Sequence, residues 1–202
     1  MSAIHKRDLE LVKRLYSKQG YSMQKIATRF AVSIDAVVYF MRKHKVPRRS
    51  LKEARKVTFD QKRPSFKLRK GVNRNLQSMG AMLYWAEGYD TEKATGIDFA
   101  NSDPAMAKLF ISFLRSRYIL EEAKFRPVIY CYSNQDVELI KKFWSKCLNV
   151  PLDQFVKPYV REDYRKDGRV MKFGLVHIRY HDKKMLLDVR NLIESYKSKY
   201  CT

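Results

Sequence analysis

The residue of this sequence best placed to do chemistry is Glu87, the acid at the end of the short apolar segment Met79–Gly88. The apolar spacing of this segment predicts a helix. Its small residues Gly80 and Ala81 would let a second helix approach closely, and Gly88 suits the left-handed conformation that often ends a helix. Glu87 would then lie in the last turn, where the helix dipole disfavours another negative charge. Its carboxylate therefore requires a divalent metal, a basic neighbour or open water.

The chain that must position this carboxylate is strongly basic. Its formal charge is +21 over 202 residues, and its pI is near 9.9. Such a charge attracts polyanions, and nucleic acids and anionic membrane surfaces are the leading classes. The sequence contains no apolar run near the roughly 20 residues of a membrane span and no signal-peptide block at its start. We therefore expect a cytoplasmic, nucleoid-associated protein without a membrane partner.

The three cysteines indicate neither a zinc site nor a disulfide framework. Cys131, Cys147 and Cys201 are widely spaced and form no CxxC pair, and the four histidines add no zinc-binding pattern. We expect reduced thiols with structural roles.

Three short helices are predicted in residues 1–47. Apolar residues recur at helical spacing from 8 to 18, and further helices are predicted from 23 to 30 and from 34 to 44. Ser22 and Ser33 precede the last two and are typical N-cap residues.

The turn between the second and third helices resembles the helix-turn-helix segment of many bacterial and archaeal DNA-binding proteins. One departure is Ala31, which stands where such sequences usually have glycine. The resemblance implies that the third helix enters the major groove, with early residues at base edges and later ones on phosphates. The contact residues predicted from it are Ser33, Asp35, Tyr39, Arg42 and Lys43. A three-helix protein-interaction module is the alternative, and the positive charge favours DNA.

Residues 48–75 are predicted to be a basic linker. Residues 1–75 hold 21 of the 42 Lys and Arg residues but only 5 of the 21 Asp and Glu residues. A short helix is predicted from Ser50 to Val57. Cations at nearly every second or third position suit a segment that follows phosphates, with Arg48 and Arg49 reaching a groove. A solvated tether is the other interpretation.

Residues 76–202 predict an α+β domain with helices on one face of a mixed or antiparallel sheet. The predicted order is helix, strand, helix, strand, helix, two strands and a final helix. The last two strands lie in DQFVKPYVRE and RVMKFGLVHIRY. They are predicted to form a hairpin through Glu162–Arg169, with Gly168 in the turn.

The segment MGAMLYWAEG and the elements after it resemble the LAGLIDADG homing endonucleases, over residues 76–202. Gly80, Ala81 and Ala86 match the small packing positions of the motif, and Glu87-Gly88 matches its acid-glycine end, whereas Trp85 stands where the family often has Asp. With one motif copy, the resemblance implies a homodimer through Gly80, Ala81 and Leu83. It also implies Mg²⁺ bound by Glu87 over the phosphates to be cleaved. Lys183 and Lys184 are the basic candidates near that site by their position in the sequence.

In that family the sheet forms a saddle on the DNA major groove. Lys157, Tyr159 and Arg161 are predicted to share one strand face, which suits this role. Further cations are predicted on or near the strands and the hairpin tip. These are Arg126, Arg165, Lys166, Arg169, Lys172 and Arg179.

Several functions remain open at this point. A site-specific endonuclease with an accessory helix-turn-helix is favoured by Glu87, and a DNA-binding regulator that keeps the fold without cutting is favoured by the degenerate motif. A transposase or recombinase would need an acidic triad such as Asp98, Asp136 and Glu162, whose spacing does not favour it. RNA binding also fits the charge.

Overall fold

The computed structural model describes residues 4–162 and 171–201, and the chain divides into two compact units between Arg63 and Pro64. The architecture is α+β, with the strands confined to the second unit. No helix in the described ranges has the length and apolar character needed to cross a membrane.

The first unit is helical. Helix α1 continues directly into a turn of π-helix, and three further helices follow. Their bounds are Leu9–Lys13 for α1, Arg14–Lys18 for the π turn, Met23–Phe30 for α2, Ile34–Lys43 for α3 and Leu51–Gln61 for α4. Residues from the first three helices and the segment after α3 form its core: Val12, Leu15, Tyr16, Ile26, Ala27, Val37, Phe40, Met41 and Val46.

Serine side chains set where α2 and α3 begin. The Ser22 hydroxyl accepts a hydrogen bond from the Lys25 backbone N–H at 3.1 Å, and Ser33 does the same for Ala36 at 3.2 Å. Each bond satisfies a backbone donor that has no partner inside its helix. The predicted starts of both helices are confirmed.

Ala31 ends α2 in the left-handed conformation. Its φ is 52° and its ψ is 43°, and its N–H bonds back to the carbonyls of Ala27 and Thr28. A residue with a Cβ is strained in this region, by about 1–2 kcal/mol. The turn thus keeps the backbone shape that glycine would normally provide, without the glycine.

Ala31→Gly is therefore expected to stabilise the first unit, by about 0.5–1 kcal/mol after the greater freedom of glycine in the unfolded chain is subtracted. Hydrogen exchange of the α2 and α3 amides in the full chain measures this change. Ala54→Gly is the matched control, because Ala54 lies inside α4, where glycine costs about 1 kcal/mol. Slower exchange in the first variant and faster exchange of α4 amides in the second are expected; faster exchange after Ala31→Gly would contradict the assigned strain.

Residues 48–63 belong to the first compact unit and residues 64–75 to the second, so they do not form a separate linker between two units. Ser50 and Glu53 form a capping box at the start of α4, which extends beyond the predicted end at Val57. The Gln61 side chain donates to the Gln19 carbonyl at 3.0 Å. A Cβ on Gly20, whose φ is +70°, would collide with Gln61 and Val57. Helix α4 is thus packed against the rest of the first unit.

The second unit contains six strands, four α-helices and two short 3-10 helices among the described residues. The strands are β1 (Phe66–Leu68), β2 (Ile97–Asn101), β3 (Tyr118–Leu120), β4 (Val128–Tyr132), β5 (Tyr159–Arg161) and β6 (Leu175–Tyr180). The helices are α5 (Arg74–Glu87), α6 (Pro104–Arg117), α7 (Val137–Leu148) and α8 (Lys183–Tyr200). Asp103, Asp136 and Asp182 cap the last three helices.

The main sheet has four strands in the order β2-β6-β4-β5, and β1 pairs with β3 in a separate antiparallel ribbon. Strand β6 is antiparallel to both β2 and β4, whereas β5 runs parallel to β4. The predicted hairpin between the last two strands is therefore wrong, because β4 lies between them. Residues 163–170, which include Arg165, Lys166, Gly168 and Arg169, lie outside the described residues.

Side-chain alternation gives this sheet two different faces. One alternate set is buried and packs on the helices: Ile97, Phe99, Ile129, Cys131, Val176, Ile178 and Tyr180. The other set lies on the face away from these helices, and we call this the open face. It includes the apolar residues Ala100, Val128 and Leu175. Its polar and aromatic residues are Asp98, Arg126, Tyr130, Tyr132, Tyr159, Arg161, His177 and Arg179.

Candidate nucleic-acid interface

Helix α3 presents an exposed surface of mixed chemistry in the first unit. Asp35, Tyr39, Arg42 and Lys43 are exposed, and Tyr39 retains 57% of its accessible surface. The Lys43 ammonium lies 6.0 Å from the centre of the Tyr39 ring. Because Val37, Phe40 and Met41 hold the opposite side in the core, this surface is presented by a fixed helix. Ser33 differs from the others, since its hydroxyl oxygen caps the helix.

The two arginines before α4 have different roles. The Arg49 guanidinium donates to the carbonyls of Tyr16 and Tyr21 and stacks on the Tyr16 ring at 4.0 Å. Its backbone N–H donates to the Tyr16 hydroxyl at 3.0 Å. Arg49 thus stabilises the packing of its segment against the π turn. Because its guanidinium is used in these internal contacts, it is not a DNA-contact residue of the kind predicted. Arg48 is exposed, as that set requires.

The open face carries a connected group of charged side chains at its β2–β6 end. The Asp98 carboxylate accepts from Arg179 Nε at 2.8 Å and lies 2.7 Å from His177 Nδ1. Burial opposes ionisation of Asp98, but these two partners outweigh it, so the pKa of the carboxyl lies below its usual range. For Arg179 burial is likewise outweighed, chiefly by Asp98, and its pKa is raised. Asp98 and Arg179 are therefore held as an ion pair in fixed positions.

Aromatic and basic residues continue this face toward β5. Tyr130 lies opposite Tyr159, with ring centres 5.0 Å apart, and also contacts the His177 ring at 4.5 Å. Arg161 lies opposite Tyr132, and both Tyr159 and Arg161 are exposed. The predicted sharing of one face by Tyr159 and Arg161 therefore agrees with the strand register.

Three other predicted cations lie around this face. Lys157 is exposed and lies in the segment just before β5, not in the strand itself. Arg126 adjoins Arg179 in the extension of β4, and its guanidinium donates to the carbonyls of Ala123 and Phe125. Lys172 is exposed just before β6, with its ammonium 5.3 Å from the Phe173 ring centre.

Gly80 and Ala81 are not available to a second chain, so their assignment to a dimer interface was wrong. Both are buried against α6 of the same chain. A Cβ on Gly80 would lie 2.0 Å from Cγ of Phe113, which is itself fully buried. The small residues serve the internal α5–α6 contact.

The apolar surface of α5 that does face outward is offset from these residues. Met79 and Met82 are exposed, and half-buried Leu83 lies beside them. They form one wall of an open groove of about 420 Å³ between α5 and α6. The groove is lined by Met79, Met82, Leu83, Ala105, Met106 and Leu109. Of the predicted interface residues, only Leu83 lies on this surface.

Glu87 is the last residue of α5, and its side chain is exposed. In the described part of the chain it makes no hydrogen bond or ion pair, whereas Asp90 nearby is paired with Arg190. A helix-end acid requires a divalent metal, a basic neighbour or open water. Among the described residues, Glu87 has no basic neighbour that pairs with it. Gly88 has a φ of −79°, so the predicted left-handed end is wrong. Its lack of a side chain instead allows contact with the Tyr84 carbonyl, which a Cβ would approach to 2.4 Å.

Among the described residues, neither Lys183 nor Lys184 makes a hydrogen bond or ion pair with Glu87. Gly88 bridges Phe99 in the middle of β2, whereas the lysines follow Tyr180, which lies opposite Ile97 at the start of that strand. The Lys183 ammonium donates to the Glu92 carbonyl at 3.3 Å. The assignment of these lysines to a site with Glu87 is therefore not supported within one chain.

A divalent metal would need more than this chain's Glu87. Among the residues that the structure describes, no group of three or more His, Cys, Asp and Glu side chains could hold a metal ion. Mg²⁺ prefers oxygen ligands in an octahedron and retains several waters. A magnesium ion at Glu87 would therefore need further oxygen ligands. A carboxylate of a second copy or a phosphate of the nucleic acid could provide them.

The sequence interpretation missed Asp98 and His177 as members of the open face. Each is a polar residue between two large apolar ones in a strand, Asp98 between Ile97 and Phe99 and His177 between Val176 and Ile178. That alternation marks the face opposite the core. The sequence suggests Asp98 only as a member of an acidic triad with Asp136 and Glu162. In the structure Asp98 is paired with His177, and Asp136 caps α7, so the two do not form such a triad.

We compared the chain with protein-family models, curated proteins and solved structures, and none of them matches it.

Proposed function

We propose that this protein binds double-stranded DNA through helix α3 of the first unit and the open face of the sheet in the second. The observation that supports it most is the open face, where a sheet with one apolar side presents arginine, tyrosine and histidine side chains on the other. An ordinary solvated face would favour exposed and unconnected charges. Here hydrogen bonds hold Arg126 and Arg179 in place, and the rings of Tyr130 and Tyr159 lie on the same face.

The second support is the charge. A net charge of +21 provides the counterion release that drives binding to a polyphosphate. The exposed Arg42, Lys43 and Arg48 lie on or just after α3, and Arg161 and Lys157 lie at the β5 end of the open face. Each unit thus has its own basic surface.

Duplex DNA suits these surfaces better than duplex RNA. The major groove of B-form DNA admits an α-helix or strands of a sheet, whereas the major groove of A-form RNA is too narrow and deep. Tyr159 and Arg161 project from a strand, and Tyr39 and Arg42 project from a helix. Both arrangements require an accessible groove.

A double variant tests the sheet surface. Lys157→Gln with Arg161→Gln is expected to reduce the slope of log affinity against log salt concentration by about 2, because each lost phosphate contact removes about 0.9. Fluorescence anisotropy with labelled duplex DNA between low and moderate salt measures the slope. Lys142→Gln with Lys146→Gln removes the same charge from α7, on the helical side of the sheet, and should leave the slope nearly unchanged.

Equal effects of the two double variants would mean that only overall charge matters, and the assigned face would be wrong. A wild-type protein that binds duplex RNA more tightly than DNA of the same sequence would replace the DNA proposal by an RNA one.

A second candidate function is metal-dependent cleavage of DNA by a homodimer. The observation that favours it is Glu87, an exposed acid that pairs with no cation among the described residues. It lies on the same helix as one wall of the apolar α5–α6 groove, which a second copy could cover. Two copies paired there would bring two Glu87 carboxylates together over the DNA. When bound, Mg²⁺ would polarise a phosphate and activate water. The alternative is a regulator that binds DNA without cutting it.

A further inference from the structure

The charged group on the open face has an unusual arrangement. One carboxylate, Asp98 on β2, holds two side chains of β6 at once: Oδ2 binds Arg179 and Oδ1 binds His177. Arg179 lies directly opposite Asp98 in the strand register, and His177 lies two residues away on the same face. Their side chains remain 19–29% exposed. Asp98 thus holds both side chains in place, while part of each remains accessible to a ligand.

This arrangement orients the outward hydrogen-bonding groups. Nε of Arg179 donates to Asp98, and the guanidinium also hydrogen-bonds to the Tyr130 side chain. The guanidinium N–H groups not used by these two partners are the ones available to a ligand. A carboxylate can only accept, so Nδ1 carries the His177 proton when the ring is neutral, and Nε2 is then an acceptor. The donor and acceptor stand side by side on one strand, with the small Ala100 across from His177.

The negative charge of Asp98 also affects which kind of ligand can bind Arg179. Asp98 neutralises Arg179 and would repel a phosphate placed against it. A base edge carries no net charge, so it avoids this repulsion while still receiving the guanidinium donors. The other cations at the β5 end of the face, Lys157 and Arg161, are exposed and suit phosphates better.

We propose that Arg179, positioned by Asp98, recognises a guanine through its N7 and O6 atoms, and that His177 contacts the neighbouring base pair. Arginine and guanine form the commonest specific contact in the major groove. This inference rests on the proposed DNA binding. Asp98 acts as a positioning residue: it keeps Arg179 and His177 in one geometry, so that less side-chain freedom is lost on binding.

The test begins with duplexes selected by the wild-type protein from a random library. Each guanine of the selected site is then replaced in turn by 7-deazaguanine, which lacks the N7 acceptor. The wild-type protein should lose about 10-fold in affinity at one or more guanines of the selected site. This measurement needs no variant, so it does not depend on whether a variant folds.

Variants then assign the contact. Arg179→Lys keeps the charge but loses the planar fork, and its affinity should no longer respond to 7-deazaguanine at that position. Asp98→Asn should bind non-specific DNA at least as tightly as wild type, because a negative charge is lost, while its preference for the selected site falls about 10-fold. A merely structural role for Asp98 would lower both affinities together. Arg161→Lys is the control, and it should retain the full response.

Two results would overturn this inference alone: a selected site in which no guanine responds to the substitution, or a response that Arg179→Lys leaves intact. Absence of any binding to duplex DNA would instead overturn the proposed function and this inference with it. Tryptophan fluorescence during heating confirms that each variant is folded, because Trp85 and Trp144 both lie in the second unit.

Discussion

Gly80→Leu is expected to destabilise the second unit by about 3 kcal/mol or more, which lowers its melting temperature by about 10 °C. The reason is steric. A Cβ at position 80 would already lie 2.0 Å from Phe113 Cγ, and Phe113 is enclosed by the core, so α5 and α6 must move apart. Thermal unfolding followed by tryptophan fluorescence measures the change in this unit.

Met79→Leu is the matched control for this substitution. It introduces the same side chain one residue away on the same helix, but Met79 is exposed, so stability should change by less than about 0.5 kcal/mol. A Gly80→Leu protein that melts like wild type and has lost only its self-association would reinstate Gly80 as an interface residue. The structure predicts instead that Gly80→Leu lowers the stability of the second unit and does not act directly on self-association.

Glu87→Gln is expected to abolish DNA cleavage, with a fall of about 10³-fold in rate, if the protein is a metal-dependent nuclease. The amide is almost isosteric with the acid but lacks the charge that holds a divalent cation, which is worth several kcal/mol. Binding to the selected duplex should remain within a few-fold of wild type, because the open face is unchanged. Cleavage of that duplex with Mg²⁺, and again with excess chelator, provides the measurement.

Two controls make this result specific. Glu92→Gln removes an exposed acid from the loop after α5 and should leave cleavage unchanged. Met82→Glu places a charge in the apolar α5–α6 groove and should prevent pairing, which light scattering detects, and so abolish cleavage with Glu87 intact. A wild-type protein that binds its selected duplex but leaves it uncut with Mg²⁺ would support the non-cutting regulator.

The two predictions concern opposite sides of α5. Its buried side, through Gly80 and Ala81, holds the second unit together, and its outward side, through Met82, Leu83 and Glu87, is available to a partner. The sequence resemblance had assigned both roles to the small residues. Only the outward side now supports a proposal of pairing.

What the sequence determined by itself was local. Ser22 and Ser33 cap the helices predicted after them, and Asp103, Asp136 and Asp182 cap three more. A cap and a helical stripe depend on residues three or four positions apart, so the sequence contains the whole interaction. The α+β class and the apolar core positions of β2 and β6 follow from similarly short-range patterns.

What the tertiary structure decided was which distant residues meet. Strand β5 pairs with β4 instead of its predicted partner β6, Gly80 packs on Phe113, and Asp98 meets His177 from 79 positions away. These contacts depend on the order of strands in the sheet and on the packing of α5 against α6. No short-range pattern specifies either, because the free energy of each contact depends on the whole core being formed. For that reason the sequence could indicate a basic sheet, but only the fold could show which of its side chains act together.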